Sequence, residues 1–476
     1  MARKKKETVL QSIAVPPPEY PHPGYVMVTK ETDPDVSFDS IKRDLTFKSR
    51  EIKTFSFGKQ NIVTLFEEIG DILFVPKTYA KEHRIKGHWQ VSDGVSVDLG
   101  FDEVLQSSRP ETKKIQDDLI SLFLTNYGNS SQNHRGGMLC APCAAGKTVM
   151  SLKLADILGK TTLVMVHKEF LVKQWIERIE QFLDIPKDKI GRIQGKKCQF
   201  EGKSIVIGMI QSLAMRQYTP EVYSYFGTIL VDEAHRISAP MFSQALPKFS
   251  ARNVVGVTAT PRRGDGLEQV FGTLIGPVIS KTSAEHKVIP TIYQIGFSSY
   301  CPEKRYVKRN ERGHIKKIFM ATLINLLSEN KRRSEYIVKE MVKALQKGRR
   351  VLVFSDRLDH LKDMKDGLDQ AMSNVTTGYY VGGMKPEEWE KSSQCDAIFS
   401  TYAMGKEGLD IPAMDTLFLA TPKGDVEQAV GRVVRECMGK KDPIVVDIVD
   451  QNEVCEGFAQ KRRFQYQRLG YKVKQL

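Results

Sequence analysis

The chain has 476 residues, 41% of them hydrophobic and 9% aromatic, and a formal net charge of +14. Length and apolar content suit roughly two to four globular domains and exclude a disordered chain. No window reaches the ~18 apolar residues of a membrane span, and the basic excess suits a polyanionic partner without choosing a strand type or a base sequence.

The opening residues, Met1-Ala-Arg-Lys-Lys-Lys, are basic, but no apolar segment follows, so no secretory signal is expected. Seven scattered cysteines, an odd number, fit a reducing, cytoplasmic setting. Pro16, Pro17, Pro18, Pro21, Pro23 and Gly24 mark an extended arm over residues 12–24. Between about 40 and 100, short apolar runs such as Ile62-Val63-Thr64-Leu65-Phe66 and Asp71-Ile72-Leu73-Phe74-Val75-Pro76 predict a small α+β domain. Its Lys48, Arg50, Lys53 and Lys59 are either a surface for a duplex or branch, or a solvated basic face.

From about residue 137 the pattern changes to buried strands alternating with amphipathic helices. The strands are Leu163-Val164-Met165-Val166, Ser204-Ile205-Val206-Ile207-Gly208, Thr228-Ile229-Leu230-Val231 and Val254-Val255-Gly256-Val257. This alternation predicts a parallel sheet covered on both faces. After a polar, basic stretch near 301–316 it resumes, with a helix over 332–347 and strands at Arg350-Val351-Leu352-Val353-Phe354, Ala397-Ile398-Phe399, Thr416-Leu417-Phe418-Leu419 and Ile444-Val445-Val446. The expected architecture is therefore α/β, with two parallel-sheet lobes in tandem behind the small α+β domain. The expected boundaries are 1–105, 106–285, 286–455 and a basic end over 456–476. That end, with Lys461, Arg462, Arg463, Phe464, Tyr466, Arg468 and Tyr471, is either a helix docked on a lobe or a nucleic-acid-contacting tail.

The strand Gly137-Met138-Leu139-Cys140 runs into Ala141-Pro142-Cys143-Ala144-Ala145-Gly146-Lys147-Thr148, and a helix follows. Strand, small-residue loop and helix start are what a phosphate-binding loop requires, because backbone N–H groups must point inward at phosphate oxygens. Lys147 is placed to reach the β- and γ-phosphates of ATP, and Thr148 to hold Mg²⁺. The strict pattern opens with glycine where this chain has Ala141. Cys140 and Cys143 form a C-x-x-C, but no second ligand pair accompanies it, so phosphate binding is preferred to zinc or redox chemistry.

The strand Thr228–Val231 ends in Asp232-Glu233-Ala234-His235. The carboxyl end of a buried parallel strand is where ligands bind. Asp232 there would hold Mg²⁺ through its water shell, and Glu233 would orient and deprotonate the attacking water. His235 is expected to couple this site to the next motif. Farther on, Gln428-Ala429-Val430-Gly431-Arg432-Val433-Val434-Arg435 spaces two arginines by three, which on a helix puts both on one face as fingers toward a γ-phosphate.

With Thr258-Ala259-Thr260-Pro261, these motifs together resemble the superfamily 2 helicases over about 105–455, with RecA-like lobes. His167-Lys168 with Gln174-Trp175, Gln211-Ser212-Leu213, Val353-Phe354-Ser355, and Thr401 with Gly405 and Gly408-Leu409-Asp410-Ile411-Pro412 match further family motifs. The phosphate loop, the H-K-x-x-L-V-x-Q-W segment and T-A-T-P are most similar to the XPB-like group, including phage helicases of the UvsW type. The resemblance implies ATP and Mg²⁺ as cofactors and single-stranded and branched DNA as partner, with 3′-to-5′ movement on forks, Holliday-type junctions or R-loops. It also implies a monomer meeting replication or recombination proteins, in the host cytoplasm if phage-encoded.

Residue by residue, the resemblance assigns adenine reading to Gln116. Phosphate and nucleotide contacts fall to Pro142, Cys143, Ala144, Ala145, Gly146, Gly408 and Asp410. Backbone contacts to nucleic acid fall to His167, Lys168, Gln211, Ser212, Ser355 and Thr401. Two departures stand out: Arg109-Pro110 lies farther from Gln116 than in the family pattern, and Arg263-Gly264-Asp265 replaces the group's Arg-Glu-Asp. Two rival readings remain: an RNA helicase, although RNA-processing motors usually carry S-A-T, not T-A-T, and an ATP-gated nucleic-acid clamp that does not unwind.

Overall fold

The computed structural model describes residues 22–49, 62–103, 110–128, 133–141, 145–238, 241–259, 266–281, 288–298, 301–311, 313–407, 411–435, 437 and 439–476. Pro142, Cys143, Ala144, Thr260, Pro261, Gly408 and Asp410 lie outside them, as do Arg50, Lys53, Lys59, Arg109, the 263–265 tripeptide and all of the proline arm before His22.

The N-terminal region is α+β. Its antiparallel sheet runs Glu67–Ile69, Ile72–Pro76, Tyr25–Val28, His88–Trp89, and a separate ribbon pairs Thr46–Lys48 with Ile62–Thr64. Val26, Val28, Leu73 and Val75 alternate inward, and they enter one apolar cluster with Met138, Leu163, Phe249 and Phe271 of the next lobe. The small region thus shares a core with its neighbour. The amide of Gly24 donates to the Pro247 carbonyl at 2.7 Å, an approach that a Cβ would block, since it would stand 2.4 Å from that same oxygen. Lys48 is exposed on its ribbon.

The first lobe is an eight-stranded sheet ordered Lys197–Cys198, Ile190–Gln194, Ile205–Met209, Thr162–Val166, Thr228–Asp232, Asn253–Thr258, Arg135–Cys140, Val278–Lys281. Every pairing is parallel except the outermost hairpin. The central strands read as unbroken apolar runs because helices cover both faces. Helix Lys147–Leu158 carries Met150, Leu152, Leu154 and Ala155 into that core, and Glu169–Phe182 carries Leu171, Val172, Trp175 and Ile179.

The second lobe is a seven-stranded, wholly parallel sheet ordered Thr377–Tyr380, Ala397–Thr401, Val351–Ser355, Thr416–Leu419, Ile444–Asp450, Thr291–Phe297, Lys472–Gln475. Of the two alternatives for the basic end, the docked helix is the one observed: Glu453–Arg468 packs on the sheet and the chain closes it with Lys472–Gln475 as an edge strand. Arg333 and Arg462, both buried, form bidentate pairs with Asp450 (2.7 and 2.9 Å) and Asp447 (2.9 and 2.8 Å). These pairs fasten helices Lys331–Gln346 and Glu453–Arg468 to the strand Ile444–Asp450. The polar stretch near 301–316 contains a two-stranded ribbon, Val307–Arg309 with Ile315–Ile318. Two parallel α/β lobes behind a small antiparallel region are thus the architecture the sequence predicts.

Candidate active site

In the first lobe, the strands Arg135–Cys140, Thr228–Asp232 and Asn253–Thr258 end together at one edge of the sheet. The Ala141 amide donates to the Thr258 carbonyl at 3.1 Å, tying the start of the phosphate loop to the neighbouring strand. Ala141 is fully buried and is not among the non-glycine residues with positive φ, so alanine fits where the strict pattern has glycine. Gly146 does need its freedom. It caps the helix with φ 78°, in the left-handed region, and a Cβ there would stand 2.2 Å from Gln116 Nε2. Lys147 and Thr148 then open the helix, where unsatisfied N–H groups favour an anion.

Gln116 is buried and its amide donates to the Ala145 carbonyl at 3.0 Å, beside the loop. Its Oε1 is buried with no hydrogen-bond partner among the described residues. A buried acceptor left open is costly unless something else fills it, and a nucleotide base amine has the matching donor.

Asp232 closes its strand, with both carboxylate oxygens held: Oδ1 accepts the Glu233 amide at 2.9 Å and Oδ2 accepts the Trp175 indole N–H at 2.9 Å. Burial pushes the Asp232 carboxyl above the ordinary carboxylate range, and the neighbouring charge of Glu233 raises it further. The Trp175 N–H and the Lys147 and His167 charges act the other way. Glu233 has φ 47°, strained for a residue with a side chain, at a cost of about 1–3 kcal/mol. Its Oε2 is buried, accepts no hydrogen bond from the described residues, and stands 3.4 Å from His235 Nδ1. The same imidazole nitrogen lies 3.1 Å from the Thr258 hydroxyl, so His235 joins the two motifs as expected. Carboxylate, open carboxylate oxygen, ammonium and hydroxyl therefore converge on one strand edge, a donor set suited to Mg²⁺ and a polyphosphate.

The second lobe adds Glu427, Arg432 and Arg435. Burial raises the Glu427 carboxyl, while Arg468, Gln465 and the more remote Lys147 charge act the other way. The arginines differ from expectation in their backbone. The α-helix is only Glu427–Val430; Arg432 and Val433 then bond three residues back, to Ala429 (3.2 Å) and Val430 (3.0 Å). Those bonds reach only as far as Val433, and residues 434–435 form a bend, so no regular turn sets the two arginines on one face. Val433 and Val434 are buried, and both arginines are half-buried.

The residues assigned to nucleic acid fall into two groups. His167 and Lys168 lie between the strand Thr162–Val166 and its helix, and Gln211 and Ser212 open the helix Ile210–Met215, all in the first lobe. Gln211 is exposed, while Ser212 Oγ accepts the Gly195 amide at 2.9 Å. Thr401 ends its strand in the second lobe, and Gly405 next to it lets the backbone approach Phe354, whose ring carbons a Cβ would meet at 2.1–2.9 Å. Ser355 does not match its expected role by side chain. It is fully buried, and its hydroxyl is 3.0 Å from His360 Nδ1 and accepts the Arg357 amide at 3.2 Å, organising the start of the next helix.

Sequence reasoning quoted Trp175 within a motif but gave it no contact with Asp232, and it missed Glu427. The one signal for Trp175 was an indole, which needs a hydrogen-bond acceptor when buried, on an otherwise wholly apolar buried helix face. Among the described residues no group of three or more His, Cys, Asp or Glu side chains has the arrangement of a metal cluster. Cys140 is a free thiol that burial pushes above its usual pKa; Cys143 lies outside the described residues.

The family model described as "Type III restriction enzyme, res subunit" matches residues 107–263. A putative ATP-dependent RNA helicase of Acanthamoeba polyphaga mimivirus is 28% identical over 456 residues, covering 94% of this chain and 85% of the relative. The DNA 3'-5' translocase XPB2 of Sulfurisphaera tokodaii is 31% identical over 149 residues, 31% of this chain and 32% of its own. Among solved structures, S. cerevisiae Dbp5 bound to RNA and ADP BeF3 matches with a TM-score of 0.50 and 13% identity, over 79% of this chain and 95% of that one, which bears on fold alone.

Proposed function

We propose that the chain is a superfamily 2 helicase, an ATP-driven, 3′-to-5′ DNA motor that unwinds or remodels branched DNA. The observation that carries the ATP site is the buried, unfilled acceptor Gln116 Oε1 beside the left-handed Gly146 that precedes Lys147. Bound Mg²⁺ supplies charge neutralisation for the phosphates. Thr148 and Asp232 would hold it, Lys147 would bind the phosphates, and Glu233 would take the proton of the attacking water. Arg432 and Arg435 would reach in from the other lobe when the cleft closes, and Gly408 and Asp410 would add nucleotide contacts. The backbone of the track would be gripped by His167, Lys168, Gln211 and Ser212 on one lobe and by Thr401 on the other, without base reading.

DNA is favoured by the 31% identity, over 149 residues, to a protein named as a DNA translocase. RNA is the second reading, favoured by the longer match to a protein named as an RNA helicase. No helix among the described residues is long and apolar enough to cross a membrane.

Strand displacement from DNA duplexes with a 3′ or a 5′ tail tests the proposal. The 3′-tailed duplex should be opened in the presence of ATP and Mg²⁺; a preference for the 5′ tail contradicts the direction. Lys147→Ala should abolish hydrolysis and spare DNA binding, and loss of both would mean that the lysine serves folding.

A further inference from the structure

Trp175 lies about two helical turns beyond Lys168 on the helix Glu169–Phe182, and it is 2% exposed. Leu171, Val172 and Ile179 share its buried face, so the helix is seated along its length. Lys168 is the cap residue of the same helix, and His167 precedes it. The indole N–H reaches Asp232 Oδ2 at 2.9 Å. A buried indole needs an acceptor, but any carbonyl would serve; here the acceptor is the carboxylate assigned to Mg²⁺. The Glu233 amide holds the other oxygen at 2.9 Å, so the carboxylate cannot rotate without breaking one of two charge-assisted bonds.

We propose that Trp175 is a positioning residue that fixes the Asp232 carboxylate for Mg²⁺, and that through it the helix Glu169–Phe182 couples nucleic acid at His167-Lys168 to the metal site. This rests on the ATP-site reading above. The helix is a rigid element with the track-facing residues at its start and the metal-facing donor on its buried side. A shift of its first turn is therefore delivered to Oδ2 through one bond. The helix thus gives the ATP site a direct way to sense the track from within the first lobe, separate from lobe closure.

The test uses the full chain and a fluorescent, non-hydrolysable ATP analogue, with binding followed by anisotropy as Mg²⁺ is titrated. Trp175→Phe keeps an aromatic ring and removes the donor. The Mg²⁺ midpoint should rise about tenfold, the worth of one hydrogen bond to a charged group, while binding without Mg²⁺ is unchanged. A single-stranded oligonucleotide should lower the wild-type midpoint and leave that of Trp175→Phe in place. Equal midpoints in the two proteins, or an equal response to the oligonucleotide, overturn the inference alone. Wild-type protein that binds no analogue at all overturns the ATP-site reading and the inference with it. A second measurement covers failure of Trp175→Phe to fold. The chain has three tryptophans, so Trp89→Phe with Trp389→Phe leaves Trp175 as the only indole. Its emission should shift when Mg²⁺ is added to the analogue complex, and again with oligonucleotide; unchanged emission overturns the proposal.

Discussion

His235 Nδ1 stands 3.1 Å from the Thr258 hydroxyl and 3.4 Å from Glu233 Oε2, so one imidazole bridges the candidate water-activating carboxylate and the end of the adjacent strand. Thr258 also holds the phosphate loop through its carbonyl and the Ala141 amide. Thr258→Val removes the hydroxyl and keeps that backbone bond. Strand displacement per ATP should fall roughly tenfold, the order of one lost buried hydrogen bond, and more than hydrolysis itself falls. Unchanged displacement per ATP with slower hydrolysis would place Thr258 in chemistry and not in coupling.

Glu233→Gln should lower hydrolysis by about 10² or more and leave nucleotide bound. It should also change the response to pH. The Asp232 carboxyl is raised by burial and then by the charge of Glu233, so its ionised form is disfavoured in the folded chain. Stability from this group is full below the ordinary carboxylate pKa and is lost as pH rises through the raised one. The neutral amide introduced by Glu233→Gln removes one of the two causes. The variant should melt higher than wild type near neutral pH, with the gap closing on acidification, and Mg²⁺-supported nucleotide binding should persist to lower pH. A lower melting temperature at neutral pH, or an acid limb moved upward, contradicts the electrostatic account.

Arg432→Ala and Arg435→Ala should each cut hydrolysis about 10³-fold, the scale of an arginine finger, while analogue binding by anisotropy stays near wild type. Loss of binding in step with hydrolysis would assign the arginines to holding the ground-state nucleotide. Their spacing was legible in the sequence, but the element was not. The α-helix stops at Val430 because the following amides bond three residues back.

The second lobe makes a stability prediction. Arg333 is fully buried against Asp450 and also donates to the Ala420 carbonyl at 2.7 Å. Asp450→Ala leaves that guanidinium uncompensated, at a cost of about 3–5 kcal/mol in urea unfolding. Arg333→Met combined with Asp450→Leu should recover most of it. A single variant as stable as wild type would contradict the buried pairing.

How far the sequence could be read follows from range. Asp232 was legible because an unbroken apolar run put it at the carboxyl end of a buried strand, and Lys147 because a small-residue loop between strand and helix put it at the helix start. The strand Thr291–Phe297 was not recognised: its polar Gln294 is buried among partners far along the chain, donating to Asp447 at 3.0 Å and to the Ala459 carbonyl at 3.3 Å and accepting from Arg463 at 3.0 Å. The bond from Trp175 to Asp232 was hidden for the same reason, since it spans 57 positions. Ser355 matched a motif by spacing, yet a local bond to His360 turned its hydroxyl inward.

The central claim is best tested by steady-state ATP hydrolysis with no nucleic acid, single-stranded DNA, forked DNA, four-way-junction DNA and matched RNA, each at two salt concentrations. The account predicts the strongest stimulation by branched DNA, weakening at high salt as backbone contacts require. Stimulation by RNA alone would contradict the DNA assignment while leaving the ATP site in place.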